Sequence, residues 1–326
     1  MTGNYKSALV LIFFLLTACQ PVPTPLPTLA PLPTAFPSIP ATSIPSVSTA
    51  PPPARLVPDF EHIVIIVFEN KEYGTVIRNP KMPYFNILAT AFTLLNQHYA
   101  VTHPSLPNYI ALISGDTQGI TSNCEDCFIN ASSLPDLIEA SGRTWKTYQE
   151  SMPEPCFVGS TILYVQKHNP FIYFDPIRLD ANRCSEGIVP LGQLDVDIAQ
   201  GQLPNFVFIT PNLCHDAHDC ALDQADLWLD SLMDNLIPPL DSTGKPYLVV
   251  LTWDEGQGNH GCCGLPEEAG GRIATVLISP QVKNGFQDET PYTHYSLLKT
   301  IAEAWGLPHL GHAGDENNAL ITAPWK

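Results

Sequence analysis

Basic residues are scarce in this chain: 15 Lys and Arg stand against 32 Asp and Glu, a formal net charge of −17 at neutral pH. So few cations leave no electrostatic footprint for a nucleic-acid partner, and none is expected. The same field repels phosphate esters and anionic lipid surfaces, so a site for either needs its own local cations. There is no internal repeat and no second linker. The apolar run Ala8 to Leu16 is too short for a standard transmembrane helix. Cys124-Glu125-Asp126-Cys127 has zinc-ligand spacing but no second CxxC to complete a four-ligand site.

What is present at the N-terminus points to export. Lys6 precedes the short apolar run, and Leu16-Thr17-Ala18-Cys19 reads as a lipoprotein signal-peptidase site. Residues 1–18 are then a signal peptide, and a lipid on Cys19 would anchor the chain on the outer side of a bacterial membrane. An ordinary secretory cut near Ala18, giving a secreted protein, is the alternative. Residues 19–55 are rich in Pro, Thr, Ser and Ala, with almost no charge. Such composition forms no core and favours extended stretches, a tether reaching on the order of 100 Å at about 3.1 Å per residue. Residues 56–326 suffice for one enzyme domain, expected as a monomer.

With Cys19 set aside, eight cysteines remain, an even count in an exported chain that suggests disulfides. Local pairs Cys124 with Cys127, Cys156 with Cys184 and Cys214 with Cys220 fit that reading. Cys262 and Cys263 either form a vicinal bridge or take separate partners. Zinc on Cys124 and Cys127, or near His260 and Cys262, is the competing idea.

The hydrophobic pattern alternates. Strands are expected near 62–68, 92–99, 206–210, 247–252 and 273–279, and helices near 83–91, 107–114, 133–141, 225–236 and 295–305. This is the pattern of an α/β fold, a central and mostly parallel sheet flanked by helices on both faces. Residues 145–190 read as irregular; carrying Tyr148, Lys167, His168 and Tyr173, they are expected to form a substrate-facing wall.

The chemistry concentrates at strand ends. Thr102-His103-Pro104-Ser105-Leu106-Pro107-Asn108-Tyr109 follows a strand and opens an apolar helix. A serine there meets unpaired N–H groups and the positive end of the helix dipole, which favour an alkoxide and an anionic ester. It also reads as an ordinary N-cap. Glu69-Asn70, Pro211 to Asp219, Asp254-Glu255 and His294 follow other strands. The carboxyl ends of strands in an open α/β sheet converge on one crevice, which would bring these groups together around Ser105.

Taken together, Ile63 to Tyr73, Thr102 to Gly115, Lys167-His168-Asn169-Pro170, Pro211 to Asp219, Thr252 to Gly256 and Tyr292 to Gly306 resemble the bacterial phosphoesterase family. That family holds secreted acid phosphatases and non-specific phospholipases C and lies within the alkaline-phosphatase-like superfamily. The compact chain is most similar to the short acid phosphatases, some of which act on phosphatidylinositol 3-phosphate.

Carried over residue by residue, the resemblance implies Glu69, Asn70, Asp254 and Glu255 as metal ligands and Ser105 as nucleophile. The oxygen donors suit Mg²⁺, Ca²⁺ or Mn²⁺ and do not exclude Zn²⁺. His168 and His215 are implied as the imidazoles beside the transferred phosphoryl group, with Asp216 orienting His215. Lys167 and His294 are implied on the substrate side. The Asn108 amide either faces a phosphate oxygen or serves as a turn or cap residue. The expected activity is an exported, metal-dependent phosphomonoesterase working through a phosphoseryl intermediate on a phosphate ester, phosphoinositides included. Alternatives are a phospholipase C-type phosphodiesterase and a surface lipoprotein that binds phosphorylated ligands without catalysis.

Overall fold

The computed structural model describes residues 55–326; the expected signal segment, Cys19 and the Pro-rich tether lie outside the described residues. Among these residues no helix is long and apolar enough to cross a membrane.

The sheet is built from β1 (His62–Phe68), β2 (Thr93–Tyr99), β3 (Trp145–Gln149), β4 (Ile188–Pro190), β5 (Phe206–Thr210), β6 (Tyr247–Trp253), β7 (Arg272–Ile278), β8 (Gln287–Asp288) and β9 (Tyr292–Thr293). Its order is β4-β3-β5-β1-β6-β7-β2-β8, with β9 pairing β2. Strand β1 lies between β5 and β6, parallel to both. Ile63 to Phe68 are fully buried, as continuous apolar strands covered on both faces require. Only β7 runs against its neighbours β6 and β2, so the sheet is mostly parallel.

The helices are α1 (Tyr73–Val76), α2 (Pro83–Ala91), α3 (Ser105–Ser114), α4 (Leu134–Ala140), α5 (Asp175–Arg178), α6 (Ala181–Gly187), α7 (Gly192–Ala199), α8 (Leu222–Ser242) and α9 (His294–Trp305). They divide between the two faces because successive strand side chains point oppositely. Ile63, Ile65 and Val67 pack with α3, α4 and α9. Val64, Ile66 and Phe68 pack with α2, α7 and α8. The expected α/β architecture, with helices on both faces, is what forms.

Two expectations fail locally. Residues 145–190 are not irregular throughout, since they contribute β3, whose mixed composition hides the pattern, and β4, only three residues ending in Pro190. Of the aromatics assigned to a substrate wall there, Tyr148 is buried with its hydroxyl on Asp197, and Tyr173 bonds the Cys124 carbonyl. Helix α8 continues past its expected end through Pro238 and Pro239. Each proline costs about 3 kcal/mol in a helix interior, but Leu229, Leu232, Met233, Leu236 and Leu240 bury a continuous stripe that outweighs it.

The disulfides are Cys124–Cys127, Cys156–Cys184, Cys214–Cys220 and the vicinal Cys262–Cys263. They leave no thiolate for zinc at the CxxC or beside His260, which removes the competing zinc reading.

Candidate active site

Strand β1 delivers Glu69 and strand β6 delivers Asp254 and Glu255 to the same end of the sheet. All three are buried. The parallel register that sets Phe68 against Trp253 continues into the turns, where Asp254 N–H donates to Phe68 O and Asn70 N–H donates to Asp254 Oδ1, each at 2.9 Å. One oxygen from each of Glu69, Asp254 and Glu255 lies within 4.8 Å of the others. Asp254 Oδ2 is buried without a hydrogen-bond partner. Clustered carboxylates with an unpaired buried oxygen fit a hard divalent cation. Asn70 adjoins them at the left-handed φ of 49°.

Ser105 is the first residue of α3, a helix buried at every position, and its hydroxyl donates to Glu69 Oε1 and, at 3.1 Å, Glu255 Oε1. Lys167 Nζ stands 3.1 Å from Glu69 Oε1 and 3.2 Å from Ser105 Oγ. His168 Nε2 is also 3.1 Å from Glu69 Oε1, and its Nδ1 is 3.4 Å from Asp216 Oδ2. One carboxylate oxygen therefore gathers a hydroxyl, an ammonium and an imidazole.

The protonation states follow. Burial alone would raise Glu69, but the adjacent His168 and Lys167 hold it well below the usual carboxylate range. Burial and then the charges of Glu69 and Glu255 push Asp254 well above that range. Burial likewise raises Glu255, against the pull of His103. Burial disfavours the His168 cation, yet Glu69 and Asp216 carry it up to about 9. The cluster holds several charges that only cations within it can balance.

Not every expected residue joins it. His215 is not oriented by Asp216, its chain neighbour: its Nδ1 bonds Glu150 at 2.9 Å and its ring stacks on Trp228. Asp216 faces His168 instead. Of the two readings for Asn108, the bonds seen are those of a turn residue: Oδ1 accepts from the N–H groups of Val101 and Thr102, and Nδ2 donates to the carbonyls of Thr102 and Pro104. It shapes the loop ahead of Ser105. His294 is fully buried, its Nε2 2.6 Å from the Asp254 carbonyl oxygen, and burial lowers it to about 4. It therefore backs the Asp254 backbone from within the core.

Other residues enter unannounced. Tyr109 stacks on His168, ring centroids 5.2 Å apart, and its hydroxyl donates to Glu69 Oε2 at 3.3 Å. Its place one helical turn after Ser105 was the available signal. His103 Nδ1 bonds Glu255 Oε2 from the rim. Lys71, directly after Glu69-Asn70, is half-buried beside Asp216, Glu69 and Asp254; burial outweighs them and lowers its pKa.

The chain matches the model of the Phosphoesterase family over residues 75–308. It is 32% identical over 290 residues to a phosphatidylinositol-3-phosphatase of Mycobacterium tuberculosis, covering 87% of this chain and 88% of that protein. It is 33% identical over 266 residues to an acid phosphatase of Aspergillus fumigatus, 77% of this chain and 56% of the relative. A solved structure from the alkaline phosphatase superfamily of Vibrio parahaemolyticus shares the fold at a TM-score of 0.53 and 12% identity, covering 83% of this chain and 72% of that one. Joined to a cluster of buried carboxylates, a serine and paired cations, these likenesses identify the chain as a member of the phosphoesterase family and a phosphoric ester hydrolase.

Proposed function

We propose that the protein is an exported, metal-dependent phosphomonoesterase with Ser105 as its nucleophile. The observation that carries this reading is Ser105 Oγ donating to the ionised Glu69 carboxylate with Lys167 Nζ 3.2 Å away. In the first step the hydroxyl proton passes to Glu255 Oε1, 3.1 Å away on a carboxylate that burial raises, as Oγ attacks phosphorus and the ester oxygen departs, leaving phosphoserine at position 105. Lys167 offsets charge on the nucleophile and the transferred group. His168, cationic at neutral pH and supported by Asp216 and Tyr109, is the imidazole suited to protonate the departing alkoxide. Water then releases phosphate by attack on the phosphoserine.

Glu69, Asp254 and Glu255, with Asn70 beside them, would hold a divalent cation, which lowers the serine pKa and shields charge between nucleophile and ester when bound. Mg²⁺, Ca²⁺ and Mn²⁺ suit these oxygens. Export agrees with the Cys19 signal sequence and with the disulfides. A phosphoinositide is the substrate class favoured by the activity named for the Mycobacterium tuberculosis relative. The charge-free segment Phe157 to Val165 also supports it. This segment exposes Val158, Ile162 and Leu163, at 49%, 92% and 41%, two residues before Lys167.

The test is hydrolysis of p-nitrophenyl phosphate beside its bis-ester and p-nitrophenyl phosphorylcholine, with chelator and metal add-back. Chelator-sensitive turnover of the monoester alone is expected. Preference for the diesters would move the reading to a phospholipase C, and no turnover with any metal would leave ligand binding.

A further inference from the structure

We propose that Glu72 is the positioning residue that locks the Asp254–Glu255 turn against Glu69, and that it sets the site's affinity for a divalent cation without being a ligand. The proposal rests on reading the three carboxylates as a cation site.

Glu72 stands at the N-cap position of α1, yet its side chain makes no capping bond to its own helix. It reaches across to the loop that follows β6. Its Oε2 accepts the N–H groups of Gln257 at 3.2 Å and Gly258 at 3.0 Å, and its Oε1 accepts Arg272 N–H at 3.2 Å. One carboxylate thus ties both ends of the segment between β6 and β7. The chain there is shaped to admit it. A Cβ on Gly256 would collide with Glu72 Oε2, and one on Gly271, at φ 84°, would lie 3.0 Å from the same oxygen. Backbone bonds complete the lock: Lys71 N–H donates to Glu255 O at 3.1 Å, alongside Asn70 to Asp254.

The consequence reaches the ligands through two residues. Glu255 lies two positions before Gln257, so freeing that amide loosens the peptide carrying the carboxylate. Gly258 O also lies 3.3 Å from His103 Nε2, while His103 Nδ1 bonds Glu255. Loss of the Gly258 anchor therefore releases Glu255 from both directions. Glu72 itself touches neither Ser105 nor the three carboxylates through any described hydrogen bond. Outer partners that orient ligands typically change metal affinity by about 10–100-fold when removed.

The experiment compares the full chain with Glu72→Gln and Glu72→Ala. Mn²⁺ binding is followed by the free-ion paramagnetic resonance signal, amide exchange is read at 255–258 and 272, and kcat and KM are measured for p-nitrophenyl phosphate at saturating Mn²⁺. Expected are faster exchange at those amides, about tenfold weaker Mn²⁺ binding in the folded protein, an unchanged KM, and recovery of kcat by excess Mn²⁺. Glu72→Ala should exceed Glu72→Gln, which keeps one acceptor oxygen. Wild-type exchange and Mn²⁺ affinity with only a lower melting temperature would overturn the proposal. Absence of Mn²⁺ binding by the unaltered chain would instead sink the cation reading, and with it the affinity part of this proposal, while the exchange rates would still decide whether Glu72 locks the turn.

Discussion

Ser105 and Glu69, 36 residues apart in sequence, share a hydrogen bond at the end of β1, and the same Glu69 oxygen lies 3.1 Å from both Lys167 Nζ and His168 Nε2. A hydroxyl on an ionised carboxylate that two cations also approach sits where negative charge developing on Oγ is offset locally.

Ser105→Ala removes the attacking oxygen and keeps the helix start. It should lower kcat/KM for p-nitrophenyl phosphate by about 10³-fold or more while the melting temperature stays within a few degrees. Full activity in this variant would end the nucleophile assignment.

The two histidines separate cleanly. His168→Asn should lower kcat by about 10²–10⁴-fold. His215→Asn should stay within about tenfold of wild type, because its imidazole is occupied by Glu150 and Trp228. The reverse ranking in steady-state kinetics would give the acid role to His215 instead.

Asn108→Ala strips acceptors from Val101 and Thr102 and donors from the Thr102 and Pro104 carbonyls. A loss of about 2–4 kcal/mol in urea unfolding is expected. Asn108→Asp retains both acceptor bonds and should recover part of it. Loss of activity without loss of stability would point to a phosphate contact instead.

Away from the site, Asp197 provides a pH-dependent contribution. Burial pulls its pKa upward, but Lys146, Tyr148 and Gln193 hydrogen-bond its carboxylate and hold it below the ordinary value. A depressed folded pKa adds stability above the unfolded value of about 3.9, and that stability is lost as pH falls through the folded value. Asp197→Asn should therefore cost about 2 kcal/mol at pH 7 and progressively less below about pH 4. Melting curves at both pH values check this; an equal cost at each would remove the ionic explanation.

The sequence by itself determined the layered α/β fold, because β1, β5 and β6 are short apolar runs buried on both faces and their periodicity switches to helical in α3 and α9. It also determined which strand ends carry Glu69, Ser105, Asp254 and Glu255, since abrupt polar residues after buried strands are visible without a structure. The local disulfides were legible for a different reason: their partners are near in the chain.

Only the tertiary structure decided the partners. Neighbours in sequence, His215 and Asp216 diverge: His215 reaches Glu150, 65 residues away, while Asp216 turns to His168. Asn108 satisfies a loop's backbone, and Glu72 crosses to amides about 185 residues along the chain. Hydrophobic periodicity dictates which face of an element is buried. It carries no information on which buried polar atom finds which partner, because that depends on distances set only once the sheet has assembled.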